Sequence, residues 1–158
     1  MGWKRYRGSL VTESVGVNEL VGKTIVDIKG CEDDSERIIF TCSDGSIYVM
    51  YHEQDCCESV SVEDVYGFVR DLIDSPITMA EDVSNEHEDD KHNGDEWYYS
   101  YTWTWYKLAT AKGYVTIRWY GESNGYYSES VDFVKIHWNK NEPSLRKDIY
   151  DEIAAVLD

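Results

Sequence analysis

The 158-residue sequence lacks any apolar run near the ~20 residues a membrane-crossing helix needs, so no such span is expected. It also lacks an export signal: Met1 to Gly8 carries Lys4, Arg5 and Arg7, but no apolar h-region follows. Tyr6 stands where a myristoylation signal wants Ser or Thr, which removes that anchor as well. A soluble, intracellular protein is the expectation. Basic residues are scarce, 15 Lys and Arg against 31 Asp and Glu, for a net charge of -16. Nucleic-acid binding depends on Lys and Arg neutralising phosphates, so direct binding to DNA or RNA is disfavoured. Such acidity serves solubility, or lets the chain occupy a basic nucleic-acid channel of another protein as a decoy, which salt would weaken steeply.

Several chemical signatures are missing too. No C-x-x-C pair occurs among Cys31, Cys42, Cys56 and Cys57, so neither a zinc ribbon nor a thioredoxin-like motif is indicated, and the cysteines are expected reduced. There is no G-x-x-x-x-G-K-[ST], G-x-G-x-x-G or H-E-x-x-H, so nucleotide-hydrolase, dinucleotide and zinc-protease readings have no support. Glu81 to Glu96 holds eight acids against Lys91 alone, which supplies -7 of the net charge. Its composition predicts a solvated acidic loop. His87 and His92 lie within it, but the calcium-loop spacing is absent.

What is present reads as alternating strands. Lys23 to Lys29, Arg37 to Cys42 and Ile47 to Tyr51 predict an antiparallel meander, with Asp44-Gly45 suited to a tight hairpin. A short turn is expected at Asn18 to Leu20, a short strand at Ser59 to Val62, and another strand at Ile77 to Val83. Val65, Tyr66, Val69, Leu72 and Ile73 follow helical spacing from Val62, which predicts a short middle helix despite Gly67. Trp97 to Thr110 alternates: Trp97, Tyr99, Tyr101, Trp103 and Trp105 share one face, and Ser100, Thr102 and Thr104 the other. Five large rings exposed together would form a sticky patch, so the aromatic face is expected in the core. Strands at Tyr114 to Tyr120 and Ser130 to Trp138 follow. After Pro143, the face of Leu145, Ile149, Ile153, Val156 and Leu157 predicts a C-terminal amphipathic helix. The expected fold is therefore a single α+β domain over 18–158, with residues 1–17 as an N-terminal extension.

Two blocks stand out: YHEQDCCE (Tyr51 to Glu58), followed by Val60, Glu63 and Asp64, and VTIRWYGESNGYYSESVDF (Val115 to Phe133). With Asp71-Leu72-Ile73, Ser75-Pro76-Ile77, Ala80-Glu81 and YTWTWYKLAT (Tyr101 to Thr110), they resemble an uncharacterised domain family common in tailed-phage genomes, over roughly Glu19 to Phe133. The resemblance implies a phage or prophage gene acting in a bacterial cytoplasm, and it implies no reaction. A small phage protein of this sort is expected to be an accessory factor that interferes with host defence or host machinery.

The first block admits three chemistries. His52, Cys56 and Cys57, with a carboxylate or the distant His137, suit zinc. A cysteine activated by His52 suits a nucleophile, although the many nearby carboxylates oppose a thiolate. A structural turn, with the cysteines packed as small apolar residues, is the third. A Cys56–Cys57 disulfide is not expected, because the small ring it closes strains the peptide and the S–S bond. The second block suits recognition. Arg118 would hold an anion, Tyr126 and Tyr127 would stack, and Glu122 and Asn124 would set polar specificity; an internal Arg118–Glu122 pair in a plain hairpin is the alternative. His52, Glu53 and Asp55 are expected to join them if the two blocks meet at a pocket. The leading expectation is a non-enzymatic phage accessory protein that binds a host protein or a small signalling ligand. A Cys/His enzyme, a zinc protein and an acidic decoy are the alternatives. Cofactor and oligomeric state are not legible.

Overall fold

Asp44-Gly45 shows how locally this chain is wired. Gly45 adopts φ 87°, which a residue without Cβ takes at no steric cost, and the Asp44 carboxylate accepts the Ser46 N–H at 2.9 Å. The hairpin so made joins Arg37–Cys42 to Ile47–Tyr51, two runs rich in β-branched and aromatic residues. The structure is a computed structural model and describes residues 4–7, 10–89 and 99–138, with side chains over 10–85 and 100–137.

Among the described residues ten strands follow in chain order: β1 (Lys4–Arg7), β2 (Leu10–Ser14), β3 (Ile25–Lys29), β4 (Arg37–Cys42), β5 (Ile47–Tyr51), β6 (Ser59–Tyr66), β7 (Met79–Asp89), β8 (Tyr99–Thr110), β9 (Gly113–Ser123) and β10 (Asp132–Trp138). They form a six-stranded sheet, β1-β2-β10-β5-β4-β3, and a four-stranded sheet, β6-β9-β8-β7, with every named pair antiparallel. The β3-β4-β5 meander is as the sequence predicts. The N-terminal stretch contributes β2, which pairs with β10 from Val134↔Ser14 to Trp138↔Leu10 and buries Leu10.

One core lies between the sheets. Phe40, Tyr48, Met50 and Phe133 meet Val62, Leu108, Val115, Ile117 and Trp119, and the Tyr48 and Phe133 rings stack at 5.5 Å. A second apolar cluster, including Leu10, Val49 and Val134, occupies the other face of the larger sheet, which is why β5 is buried at every residue.

Three expectations are corrected here. Strands take 59% of the described residues and helical turns 7%, so the architecture is nearly all β rather than α+β. The middle helix is absent: Ser59–Tyr66 is a strand paired to β9, and only the single 3-10 turn Val69–Leu72 follows. Gly67 decides the matter, because its φ is 98° and a Cβ there would strike the Tyr114 carbonyl. The acidic stretch is also no loop where it begins. Glu81 to Asp89 lie within β7, paired residue for residue with β8 down to Asp89↔Tyr99. The rest of that stretch and the C-terminal helix at 143–157 lie outside the described residues.

Candidate functional site

Strand β8 alternates, but the other way round from the sequence expectation. Thr102, Thr104, Tyr106 and Leu108 are buried, while Tyr101, Trp103 and Trp105 are half-buried on the opposite, outer face. The hydroxyl face therefore turns inward. Toward Thr110 it meets the shared core through Tyr106 and Leu108; toward Ser100 the larger sheet no longer covers it, and the chain from 125 to 131 does.

The space left is a cleft of about 380 Å³. Its floor is built from cross-strand pairs, Asp82 opposite Tyr106 and Ser84 opposite Thr104, and its roof carries Tyr127 and Glu129. Gly121, opposite Thr102, makes the roof possible: a Cβ there would lie 2.9 Å from the Glu129 carbonyl and 3.0 Å from Val60. Glu129 is 7% exposed, and its carboxylate accepts from the Thr102 hydroxyl at 2.7 Å and from the Ser123 hydroxyl. Among the described residues no Lys or Arg lines the cleft, so they offer an anion no counter-charge there. Burial first, then Asp82 and Asp132, push the Tyr106 phenol up, which keeps it a neutral hydroxyl.

The YHEQDCCE block closes against the neighbouring loop. The buried His52 ring bonds the Ser130 carbonyl through Nδ1 at 2.7 Å and the Glu58 carboxylate through Nε2 at 3.1 Å. That carboxylate also accepts the backbone N–H groups of Asp55 and Cys56, capping the turn from 55 to 58. Burial alone would raise the Glu58 pKa, but these donors outweigh it and hold the group down at about 2. Ser59↔Glu122 and Val60↔Gly121 pair directly, so the two sequence blocks do touch. A second hollow of about 320 Å³, bordered by Arg37, Tyr51, His52 and Gln54, lies on this side.

The model of the family described as "Domain of unknown function (DUF7448)" matches residues 18–133. The chain belongs to the DUF7448 family. That span contains every residue lining the cleft and ends where β10 begins. No curated protein and no solved structure matches the chain.

In this DUF7448 protein the sequence-predicted residues divide. Tyr127 lines the cleft; Tyr126 is 84% exposed and packs edge-on against Tyr127 at 5.0 Å. The Asn124 side chain accepts the Tyr126 N–H, forming a turn, and Glu122 accepts the Tyr120 hydroxyl. Glu53 accepts the Tyr51 hydroxyl at 2.7 Å, and Asp55 is exposed. Arg118 is placed neither for an anion nor for a pair with Glu122. Its guanidinium grips Asp64 with two bonds, at 2.6 and 3.1 Å, and lies 4.7 Å over the Trp103 ring. Tyr120 packs on Trp103 at 4.7 Å and Trp105 follows at 6.3 Å, so the outer aromatic face is a ladder locked by Arg118. Arg118→Ala is expected to lower stability by about 1–2 kcal/mol in thermal melts, with Arg118→Lys restoring only part because it cannot bind bidentately.

The zinc set does not assemble. Among the described residues no group of three metal-binding side chains converges, and His137 bonds Glu13 instead. Cys56 and Cys57 are joined by a disulfide of 2.04 Å on the exposed side of the turn, contrary to the expected reduced thiols. Of the free cysteines, Cys42 is buried, and burial pushes the Cys31 thiol up to about 12, where no thiolate forms near neutrality.

Sequence reasoning passed over Asp82, Ser84, Thr104, Tyr106 and Glu129. Gly121-Glu122-Ser123-Asn124-Gly125 also fits G-x-S-x-G. That spacing serves esterases when the serine sits between a strand and a helix beside a histidine. Here Ser123 ends β9, donates to Glu129 and accepts the Gly125 N–H at 3.0 Å, so it pins the cleft roof. Among the described residues no helix is long and apolar enough to cross a membrane, which says nothing of strands.

Proposed function

We propose that this protein is a non-enzymatic accessory factor of a tailed phage, acting in the bacterial cytoplasm by holding a host component or small signalling ligand at the hydroxyl-lined cleft. One observation carries the reading: a strand with ample aromatic surface turns its hydroxyls inward, beneath a roof fastened by Thr102, Ser123 and Glu129. Buried polar faces cost free energy unless they meet partners, so such a face is retained where a polar ligand uses it. The phage context rests on the resemblance of the two sequence blocks. The binding role, rather than a reaction, is supported by the company the polar groups keep. Ser123 faces a carboxylate, and His52 is engaged by Glu58 and a carbonyl. The missing bases in the lining favour a neutral or cationic polar ligand over a nucleotide.

Native mass spectrometry of the full chain after exposure to infected-cell extract tests this. The expected result is a retained small-molecule mass that Thr104→Val, similar in size but without the hydroxyl, fails to keep. A bare chain mass throughout, or retention indifferent to Thr104→Val, overturns the reading.

A further inference from the structure

Each sheet ends in two strands, and three of the four are closed to a newcomer. On β6 the loop after β3 occupies the outer edge. The Asp34 N–H donates to the Val62 carbonyl and the Val62 N–H to the Ser35 carbonyl, both at 2.8 Å, and a bulge lies between Val62 and Asp64. On β3 a bulge lies between Ile25 and Asp27, Ile25 bridges to Ile73, and the Asp74 N–H donates to the Ile25 carbonyl at 2.8 Å. Strand β1 is four residues long. Bulges, covering loops and brevity are the devices that keep foreign strands off sheet edges.

Among the described residues β7 has none of these. It runs eleven residues, Met79–Asp89, and pairs with β8 residue for residue with no shift of register. The turn Val17–Leu20 packs against it on the core side, where Leu20 and Ala80 are both buried. Beyond Ala80, five consecutive residues from Glu81 to Asn85 are exposed, Val83 at 48%. Alternate residues of a strand point to opposite faces, so a run exposed on both faces marks a bare flank. Every second residue of such a flank turns its N–H and C=O outward, ready for an added strand.

Charge decides what can use that edge. Glu81, Asp82, Glu86, Glu88 and Asp89 lie in β7, and opposite charges across a ladder stabilise it where like charges oppose it. A second β7 repeats the same acids. Strand β1 is basic through Lys4, Arg5 and Arg7, but it matches four of the eleven positions. A basic segment as long as β7 answers both the backbone and the charge.

We infer that the outer edge of β7 takes an extended lysine- or arginine-rich segment of a partner protein, which adds to the smaller sheet as a fifth strand. The assignment goes beyond the cleft and does not depend on what the cleft holds.

Fluorescence anisotropy of a labelled peptide of the length of β7, alternating lysine with threonine, tests it against the full chain. Saturable binding is expected. Methylating every second backbone nitrogen of the peptide keeps its charge and blocks the ladder, and is expected to weaken binding about tenfold or more. Val83→Lys, at an exposed position, is expected to weaken it about fivefold, with circular dichroism checking its fold. Hydrogen exchange is expected to show new protection within 79–89. No saturable binding, binding indifferent to methylation or to Val83→Lys, or protection confined to other segments overturns the assignment. So does a chain that sediments as an oligomer without peptide and already protects its β7 amides, because a second copy then holds the edge.

Discussion

Glu58→Gln is expected to lower stability at pH 7 by about 2–3 kcal/mol, and the difference from wild type is expected to shrink as the solution is acidified. The Glu58 side chain is fully buried, yet it stays ionised because the Asp55 N–H, the His52 ring and the Cys56 N–H all face it. Its folded pKa of about 2 lies below the ordinary 4.5. A carboxylate with a depressed folded value contributes stability above its unfolded pKa and loses that contribution as pH falls through the folded one. The window is therefore about pH 4.5 down to 2, with full benefit above it. Urea titrations of both proteins at pH 7, 4 and 2.5 check this; a gap that stays constant across the series contradicts the account. The effect also reaches the roof of the cleft, because His52 links Glu58 to the Ser130 carbonyl.

Trp119→Ala is expected to cost more, about 3–5 kcal/mol, the range for removing a large aromatic side chain from a packed core. Trp119 is 1% exposed and lies between the sheets, where its indole N–H donates to the Met50 sulfur at 3.1 Å. Sulfur is a weak acceptor, so most of the loss comes from the cavity. Trp119→Phe is expected to recover more than half of it. A urea midpoint that falls with an unchanged slope identifies the loss as one of stability. A shift below about 1 kcal/mol for Trp119→Ala would contradict a shared core.

The meander was legible because its signals are local: Arg37 to Cys42 and Ile47 to Tyr51 carry β-branched and aromatic residues, and Asp-Gly joins them. The middle helix misled because Val65, Tyr66, Val69 and Leu72 keep a helical spacing across what is a strand, a positive-φ glycine and a single turn. Periodicity separates the two faces of β8 and cannot say which meets the core. That depended on Trp103 and Trp105 finding each other, Tyr120 and Arg118 outside, and on Glu129 arriving above Thr102 inside. In the first block, the cluster was visible but its wiring was not, since the His52 contact spans 78 residues. Asp82 and Glu129 were hidden for a plainer reason: among 31 acids, no two stand out by type.

Strand β7 stands at the end of the smaller sheet, and among the described residues no strand pairs with its outer edge, the kind of template on which another chain can add a strand. Its sequence is a guard against that. Its composition is acidic, with Glu81, Asp82, Glu86, Glu88 and Asp89 in eleven residues, and like charges on facing strands oppose pairing. Edge-to-edge pairing of two copies is therefore expected to be weaker than pairing with a segment rich in lysine or arginine.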